Sequence, residues 1–110
     1  TVWGWIHDPA HGTNCLVAED AGTLIGLAHY RPFARPLSAS TGGFLDDLFV
    51  DPAARGSGAA AALIDALMTR AQENGWSVLR WITAKDNARA RALYDKLAQE
   101  TAWVTYDIKL

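Results

Sequence analysis

DPAARGSGAAA, residues 51–61, connects a strand-like segment to a helical one and decides the fold of this chain. Before it, residues 43–50 (GFLDDLFV) are predicted to form a strand, which Pro52 ends because proline has no N–H for a sheet ladder. After it, apolar residues recur at three- and four-residue spacing over residues 58–74, which predicts an amphipathic helix. The small residues of the connection leave room for a ligand to approach the N–H groups of the first helical turn.

The segments before this connection predict a hairpin and a loop. Residues 14–19 and 23–30 are predicted to be antiparallel strands, because residues 20–22 (DAG) between them supply turn chemistry. Residues 31–43 contain two prolines and two glycines and are therefore predicted to be a loop.

Two more strands and a second helix are predicted after the long helix. Residues 77–84 (SVLRWITA) have the composition of a long strand, and residues 103–110 (WVTYDIKL) alternate as a closing strand does. Trp81 and Trp103 are expected in the core. Asp86 or Asn87 can cap the second helix. The apolar face of that helix contains Ala90, Leu93, Tyr94 and Leu97.

This order of elements predicts a single α/β domain over residues 1–110, with an α+β type of mixed sheet. The unit over residues 43–84 must cross over right-handed and place its two strands parallel, whereas the hairpin is antiparallel. We expect a mostly antiparallel sheet with one parallel crossover and helices on both faces. Residues 2–6 look like the end of a helix, so an upstream strand and helix are expected to be missing.

Composition excludes several classes of function. The net charge is −2, which gives no reason to expect nucleic acid or an anionic membrane as a partner. Cys15 is the single cysteine and lacks an activating pattern, so neither a disulfide nor a cysteine nucleophile is predicted, and a reducing cytoplasm fits best. His7, His11 and His29 have no metal-ligand spacing, so no metal site is predicted.

The glycine-rich connection is compatible with several interpretations. A P-loop would need a Lys followed by Ser or Thr after its last glycine, and neither is present. Gly56-x-Gly58-x-x-Ala61 matches the letters of a dinucleotide fingerprint, but residues 51–55 intervene between the strand and the glycines. A strand–helix turn that binds nothing is the plainest alternative.

Two motifs together resemble the GCN5-related N-acetyltransferase family (GNAT). Arg55, Gly58 and Ala60, after a strand that ends in Val50, resemble its motif A. The residues that resemble its motif B are Asn87-x-x-Ala90-x-x-Leu93-Tyr94. Residues 44–50 and 81–87 resemble the subgroup of spermidine/spermine and yeast histone- and polyamine-acetylating enzymes. The chain departs from the family where Leu97-Ala98 replaces a Gly-Phe pair.

The resemblance implies the fold of the acyl-CoA N-acyltransferases and acetyl-CoA as co-substrate. The residues that it implies for cofactor binding are Leu48, Phe49, Val50, Arg55, Gly56, Ser57, Gly58, Ala59, Ala60 and Asn87. Tyr94 would be the general acid that protonates the departing thiolate, although a core tyrosine is the alternative. Arg89 and Arg91 are interpreted as solvated, with Arg91 able to reach the cofactor's phosphates.

A carboxylate can accept the proton that an attacking amine loses and can attract a cationic amine. Asp46 lies on the strand face of Val50 and matches the acidic position of the subgroup, so Asp46 is the predicted base. Asp47 would point to the opposite face unless a bulge intervenes, and it is assigned to substrate binding together with Tyr30. A solvated acidic pair is the alternative. Trp5 is a further candidate for the acceptor pocket.

The predicted function is direct transfer of an acetyl group to a primary amine, such as a polyamine, an amino sugar or a lysine side chain. The rival interpretations are a coenzyme A-binding module without catalysis and, more weakly, a dinucleotide-binding domain. The resemblance also implies a homodimer joined through residues 103–110.

Overall fold

The computed structural model describes Gly4 and residues 12–110. Its strands are β1 (Asn14–Asp20), β2 (Thr23–Arg35), β3 (Ser40–Val50) and β4 (Leu79–Arg80). Its α-helices are α1 (Ala59–Glu73) and α2 (Ala88–Leu97), and short 3-10 turns cover Pro36–Ser38 and Pro52–Ala54. Apart from Gly4, the predicted helix end at residues 2–6 lies outside the described residues, as do Trp5, His7 and His11. No helix in the described part of the chain is long and apolar enough to cross a membrane.

The four strands form one mixed sheet in the order β1-β2-β3-β4. β1 and β3 both pair antiparallel with β2, and β4 pairs parallel with β3 across the α1 crossover. The predicted hairpin and the mixed α/β fold class are therefore confirmed. A single parallel pair among the described strands also argues against a doubly wound dinucleotide-binding domain.

The predicted loop over residues 31–43 is wrong. β2 continues to Arg35 and β3 begins at Ser40, so only a tight 3-10 turn separates the two strands. Pro32 is accommodated in the ladder opposite Gly43. β1 pairs with β2 only as far as Tyr30, so Pro32 lies where one side of β2 has no described strand, and its missing N–H breaks no ladder bond there.

The predicted strand over residues 77–84 is much shorter in the structure. Only Leu79 and Arg80 are in the ladder, opposite Gly43 and Phe44. Two more backbone bonds, from Ser77 N–H to the Thr41 carbonyl and from Gly43 N–H to the Val78 carbonyl, extend this contact backward. Among the described residues no strand pairs with 81–84. The composition of residues 77–84 is that of a strand, but strand structure also requires a neighbour.

The predicted closing strand over residues 103–110 is also wrong, since this segment has no strand structure. Trp103 is 87% exposed, so its expected place in the core is incorrect. Val104, Tyr106, Ile108 and Leu110 are exposed as well. Alternation alone does not create a sheet edge for the segment to join.

Helix α1 forms where the apolar periodicity predicts it. Leu63, Ile64, Leu67 and Ala71 are buried along one face. Its face packs on Ala28, Tyr30 and Leu45 of the central strands, and these contacts make the core. The helix ends at Glu73 with Asn74 as its C-cap, and Gly75 follows with φ +70°, as a C-terminal glycine commonly does.

Leu67→Ala is expected to destabilise the protein by about 2–5 kcal/mol, because Leu67 is fully buried and its loss leaves a cavity between α1 and the sheet. Met68→Ala is the matched control, since the adjacent side chain is half exposed and its truncation should change the free energy of unfolding by less than about 1 kcal/mol. Urea denaturation of both variants measures the difference. Equal effects would contradict the packing described for α1.

Candidate active site

A cleft of about 560 Å³ opens where the end of β3, the glycine-rich turn, the start of α1 and helix α2 come together. Its lining consists mainly of small and apolar residues with a few polar ones. The lining residues are Leu48, Phe49, Val50, Ala54, Arg55, Gly56, Gly58, Ala59, Ala60, Ala61, Asn87, Arg89, Ala90, Leu93 and Tyr94. The two sequence motifs, which are separated by β4 along the chain, therefore face one space.

The turn between β3 and α1 is fixed by local contacts. The Asp51 carboxylate accepts a hydrogen bond of 2.9 Å from the N–H of Ala53, which holds the 3-10 turn Pro52–Ala54. Gly56 and Gly58 have φ values of +85° and +86°, in the left-handed region that residues with a side chain rarely adopt. A Cβ at either glycine would meet no protein atom within 4 Å, so the backbone conformation rather than crowding requires glycine here.

The first turn of α1 presents open N–H groups to the cleft. The first backbone bond of the helix runs from Ala62 N–H to the Gly58 carbonyl at 3.0 Å, so the preceding N–H groups have no acceptor inside the helix. Gly58 is the N-cap and supplies no side chain to bind them. These N–H groups belong to Ala59, Ala60 and Ala61, which all line the cleft. The helix dipole adds partial positive charge, so an anion is favoured at this point.

The end of β3 contributes an open strand edge. Leu48, Phe49 and Val50 pair with β2 on one side only, opposite Ala28, Leu27 and Gly26. β4 leaves the ladder after Phe44, so no described strand covers the other side of these three residues. A linear ligand with amide groups can therefore lie along this edge as an added strand.

Helix α2 contributes Asn87 and Tyr94. The Asn87 side chain caps the helix by accepting a bond of 3.4 Å from the N–H of Ala90, which confirms the predicted cap. Its side-chain NH₂ group is left as a donor. The Tyr94 ring packs edge-on against Trp81, with 5.4 Å between ring centroids, and contacts the core. A tyrosine hydroxyl is protonated at neutral pH even at its usual pKa of 10.0, and partial burial raises the pKa of Tyr94 further.

The acidic pair Asp46–Asp47 lies beside this cleft and is not part of its lining. The β2–β3 register places His29 opposite Asp47 and Tyr30 opposite Leu45, which makes Asp46 the extra residue of a β-bulge. The bulge therefore occurs at the acidic pair, where it affects which way Asp47 points. It directs both carboxylates to the face opposite the α1 core, where they contact β2 side chains.

Each carboxylate of the pair has a partner on β2. Asp46 accepts two hydrogen bonds from Arg31 Nε, at 3.0 and 3.2 Å, and Asp47 lies 3.1 Å from Nδ1 of His29. The Asp47 side chain is 67% exposed, against 33% for Asp46. The structure thus holds Asp46 more firmly than Asp47 and leaves both accessible to solvent.

Two other predicted site residues lie away from the cleft. Tyr30 is 3% exposed, and its hydroxyl accepts a bond of 3.3 Å from Arg70. These contacts place Tyr30 in the core rather than on a pocket surface. Ser57 does not line the cleft either, and its N–H donates to the Ala54 carbonyl within the turn.

Cys15 lies in β1, where burial raises the pKa of its thiol, so it is not a poised nucleophile. The described residues also contain no cluster of three or more histidine, cysteine or acidic side chains that could hold a metal ion.

The structure places Arg89 in the cleft lining, whereas Arg91, which the sequence suggested as a contact to the cofactor's phosphates, lies outside it. Arg91 donates to the Lys85 carbonyl and to Glu100 at 2.7 Å, so its guanidinium is committed to local contacts. Arg89 lines the cleft near the start of α2. A sequence signal exists, since Arg89 follows the predicted cap Asn87 by two residues and therefore falls in the first turn of α2.

Comparison with known proteins supports one family. The acetyltransferase (GNAT) family model matches residues 2–98. An uncharacterised N-acetyltransferase of Bacillus subtilis, YhfO, is 35% identical over 98 residues, which cover 87% of this chain and 66% of YhfO. The D-amino-acid N-acetyltransferase HPA3 of Saccharomyces cerevisiae is 34% identical over 87 residues, which cover 79% of this chain and 54% of HPA3. The chain thus spans somewhat less than two thirds of the length of these relatives.

A solved structure shows the same fold. The ribosomal-protein-alanine N-acetyltransferase of Brucella melitensis superposes with a TM-score of 0.82 at 29% identity, over 93% of this chain and 74% of that one. The chain therefore belongs to the GNAT family of acetyltransferases.

Proposed function

We propose that this chain carries the cofactor-binding and catalytic part of an N-acetyltransferase that moves an acetyl group from acetyl-CoA to a primary amine. One observation carries the proposal: the open N–H groups of α1, the free edge of β3 and the protonated Tyr94 line a single cleft. Family membership supports acetyl transfer as the reaction.

The cleft suits each part of acetyl-CoA. The diphosphate would bind the N–H groups of residues 59–61, with Arg55 adding a charge-assisted contact. The pantetheine arm would lie along residues 48–50 and receive a hydrogen bond from Asn87. Asn87 and Tyr94 are seven residues apart, about 10 Å along the helix, so the thioester would lie near the Tyr94 hydroxyl.

The proposed reaction is a direct transfer. The amine nitrogen attacks the thioester carbonyl carbon, a C–N bond forms, and the C–S bond breaks. Tyr94 donates its proton to the departing sulfur, which is why a protonated phenol is needed at this position. Cys15 is not assigned a covalent role, because it lies in β1 outside the cleft lining and burial raises the pKa of its thiol.

Asp46 is assigned as the base that accepts the proton released by the amine. Asp46 and Asp47 immediately precede Leu48, the first β3 residue that lines the cleft, but both side chains lie outside that lining, so the proton would reach Asp46 through a bridging water. Asp47 is assigned to binding the amine. Because both carboxylates already contact Arg31 or His29, they would select an amine by hydrogen bonding more than by net charge.

The acceptor is proposed to be a small amine or a lysine-like side chain, with polyamines and amino sugars included. The similarity to HPA3, whose name specifies D-amino acids, adds amino acids as acceptors to test. Assembly as a homodimer and a cytoplasmic location stay predictions.

Mixing the protein with acetyl-CoA and a panel of amines is expected to release free thiol, measured with a chromogenic disulfide. The panel comprises spermidine, an amino sugar, a lysine peptide and D- and L-amino acids. Tyr94→Phe should reduce kcat by about 10²–10⁴-fold because the thiolate loses its proton donor. Affinity for coenzyme A should be almost unchanged. Tight binding of coenzyme A with no turnover on any amine would instead identify a binding module without catalysis.

The protonation of Tyr94 can be measured by following phenolate absorbance with rising pH. The pKa of Tyr94 should lie above the usual value of 10.0 because the side chain is partly buried. Because folded Tyr94 holds its proton more tightly than unfolded Tyr94, stability should fall as the pH rises above 10.0. Tyr94→Phe should reduce that fall. If the pKa of Tyr94 proves to be that of an ordinary tyrosine, the inference that burial raises it is wrong.

Asp46→Asn is expected to lower kcat/KM for the best amine by about 10²–10⁴-fold, because it removes the proton acceptor and keeps the size of the side chain. Asp47→Asn should act mainly by raising KM for the amine. Steady-state kinetics over a range of pH separate the two effects. If Asp47→Asn lowers kcat and Asp46→Asn does not, the two assignments must be exchanged.

A further inference from the structure

Two tyrosine–tryptophan pairs of similar geometry occur in the described part of the chain. Trp81 meets the ring of Tyr94 edge-on, with 5.4 Å between ring centroids and an interplanar angle of 69°. Trp76 meets the ring of Tyr30 with 6.2 Å between centroids and an angle of 63°. Edge-to-face contact is a preferred arrangement of aromatic rings, so each pair holds its rings in a defined orientation. The pairs differ in their surroundings, because Tyr94 lines the cleft and Tyr30 is 3% exposed in the core.

Trp81 lies behind Tyr94 and outside the cleft. It comes directly after Arg80, the last residue of β4, and it is partly buried against the core. It does not belong to the cleft lining, so a ligand in the cleft contacts Tyr94 and not Trp81. Any effect of Trp81 on a reaction in the cleft therefore acts through Tyr94.

The contact with Trp81 matters because helix α2 is held weakly by other means. No residue of α2 is buried, and Tyr94 is the one residue of this fully described helix that packs against the core cluster. Trp81 packs against the same cluster and against the Tyr94 ring. The place of the Tyr94 side chain therefore depends on the ring that it meets there.

We propose that Trp81 is a positioning residue that sets where the Tyr94 hydroxyl meets the thioester sulfur. The inference rests on the proposed function, in which Tyr94 protonates the departing thiolate. Proton donation needs the hydroxyl within hydrogen-bond reach of the sulfur, and a displacement of about 1 Å at a reacting group can lower the rate by about 10²-fold. Trp81 itself contributes no group to the reaction.

The test is a double-mutant cycle, measured as steady-state thiol release with the best amine of the panel. Trp81→Leu should lower kcat by about 10–100-fold and change KM for acetyl-CoA by less than about threefold, because the lining residues are all retained. Trp81→Phe keeps an aromatic ring against Tyr94 and should recover most of the lost kcat. In protein that already carries Tyr94→Phe, adding Trp81→Leu should lower kcat no further.

Trp76→Leu is the matched control, because it removes the same ring from the pair whose tyrosine lies in the core. It should lower the free energy of unfolding and leave kcat almost unchanged. Circular dichroism and calorimetric titration with coenzyme A show whether each variant is folded and binds the cofactor. If Trp81→Leu does not fold, Trp81→Met replaces it, because the longer flexible side chain fills more of the space without a ring.

The outcomes separate this inference from the proposed function. An unchanged kcat in Trp81→Leu, or a further fall in kcat when it is added to Tyr94→Phe, would overturn the positioning role and leave the proposed function standing. An equal loss of kcat in Trp76→Leu would show a general effect of core packing and would also reject the positioning role. A wild-type protein that binds coenzyme A and acetylates no amine would overturn both.

Discussion

The early end of the pairing between β3 and β4 is the constraint on which the site depends. The two strands share ladder positions only at Gly43 and Phe44, and β3 then continues for six residues with one side uncovered. Had β4 followed β3 to its end, its backbone would occupy the edge that residues 48–50 offer to the cleft. The strand that closes the core at one end therefore opens a binding edge at the other.

The two ends of β3 have different surroundings. At its beginning, Gly43 lies so close to Trp76 that an added Cβ would approach the ring to 2.4 Å, so the sheet and the segment after α1 are tightly packed there. At its end, the backbone passes through the bulge at Asp46 and reaches the turn that starts α1. Rigid packing at one end holds the open end in place, as a binding edge requires.

The sequence predicts the elements that depend on local pattern and fails where structure depends on a partner. The periodicity of α1, the cap at Asn87 and the small residues of the turn are local, and the structure has all three. Residues 77–84 and 103–110 have strand composition, but a strand forms only beside another strand. Pro32 suggests a loop by local chemistry, yet it is accommodated because one side of β2 is uncovered there.

The candidate site is likewise predictable from the sequence only in part. The two sequence motifs predict both sides of the cleft. Residues between Leu48 and Ala60 line one side, and Asn87 and Tyr94 line the other. The sequence does not show whether Arg89 or Arg91 faces the cleft, because this depends on side-chain contacts. In the structure Arg91 binds Glu100, and Arg89 lines the cleft. Whether a tyrosine on β2 lines a pocket or fills the core likewise depends on the position of α1 above it.

Gly58 keeps the first N–H groups of α1 free of any side chain of the protein itself. Serine, threonine, aspartate and asparagine are preferred at the start of a helix because their side chains bind the first amides, and glycine there is less stabilising by only about a few tenths of a kcal/mol. At a φ of +86° a side chain at this position would also be strained, so the chain cannot easily evolve a residue that competes for those amides. The backbone geometry therefore keeps a side chain of this protein from occupying the ligand-binding amides, and it lowers the stability of the fold only slightly.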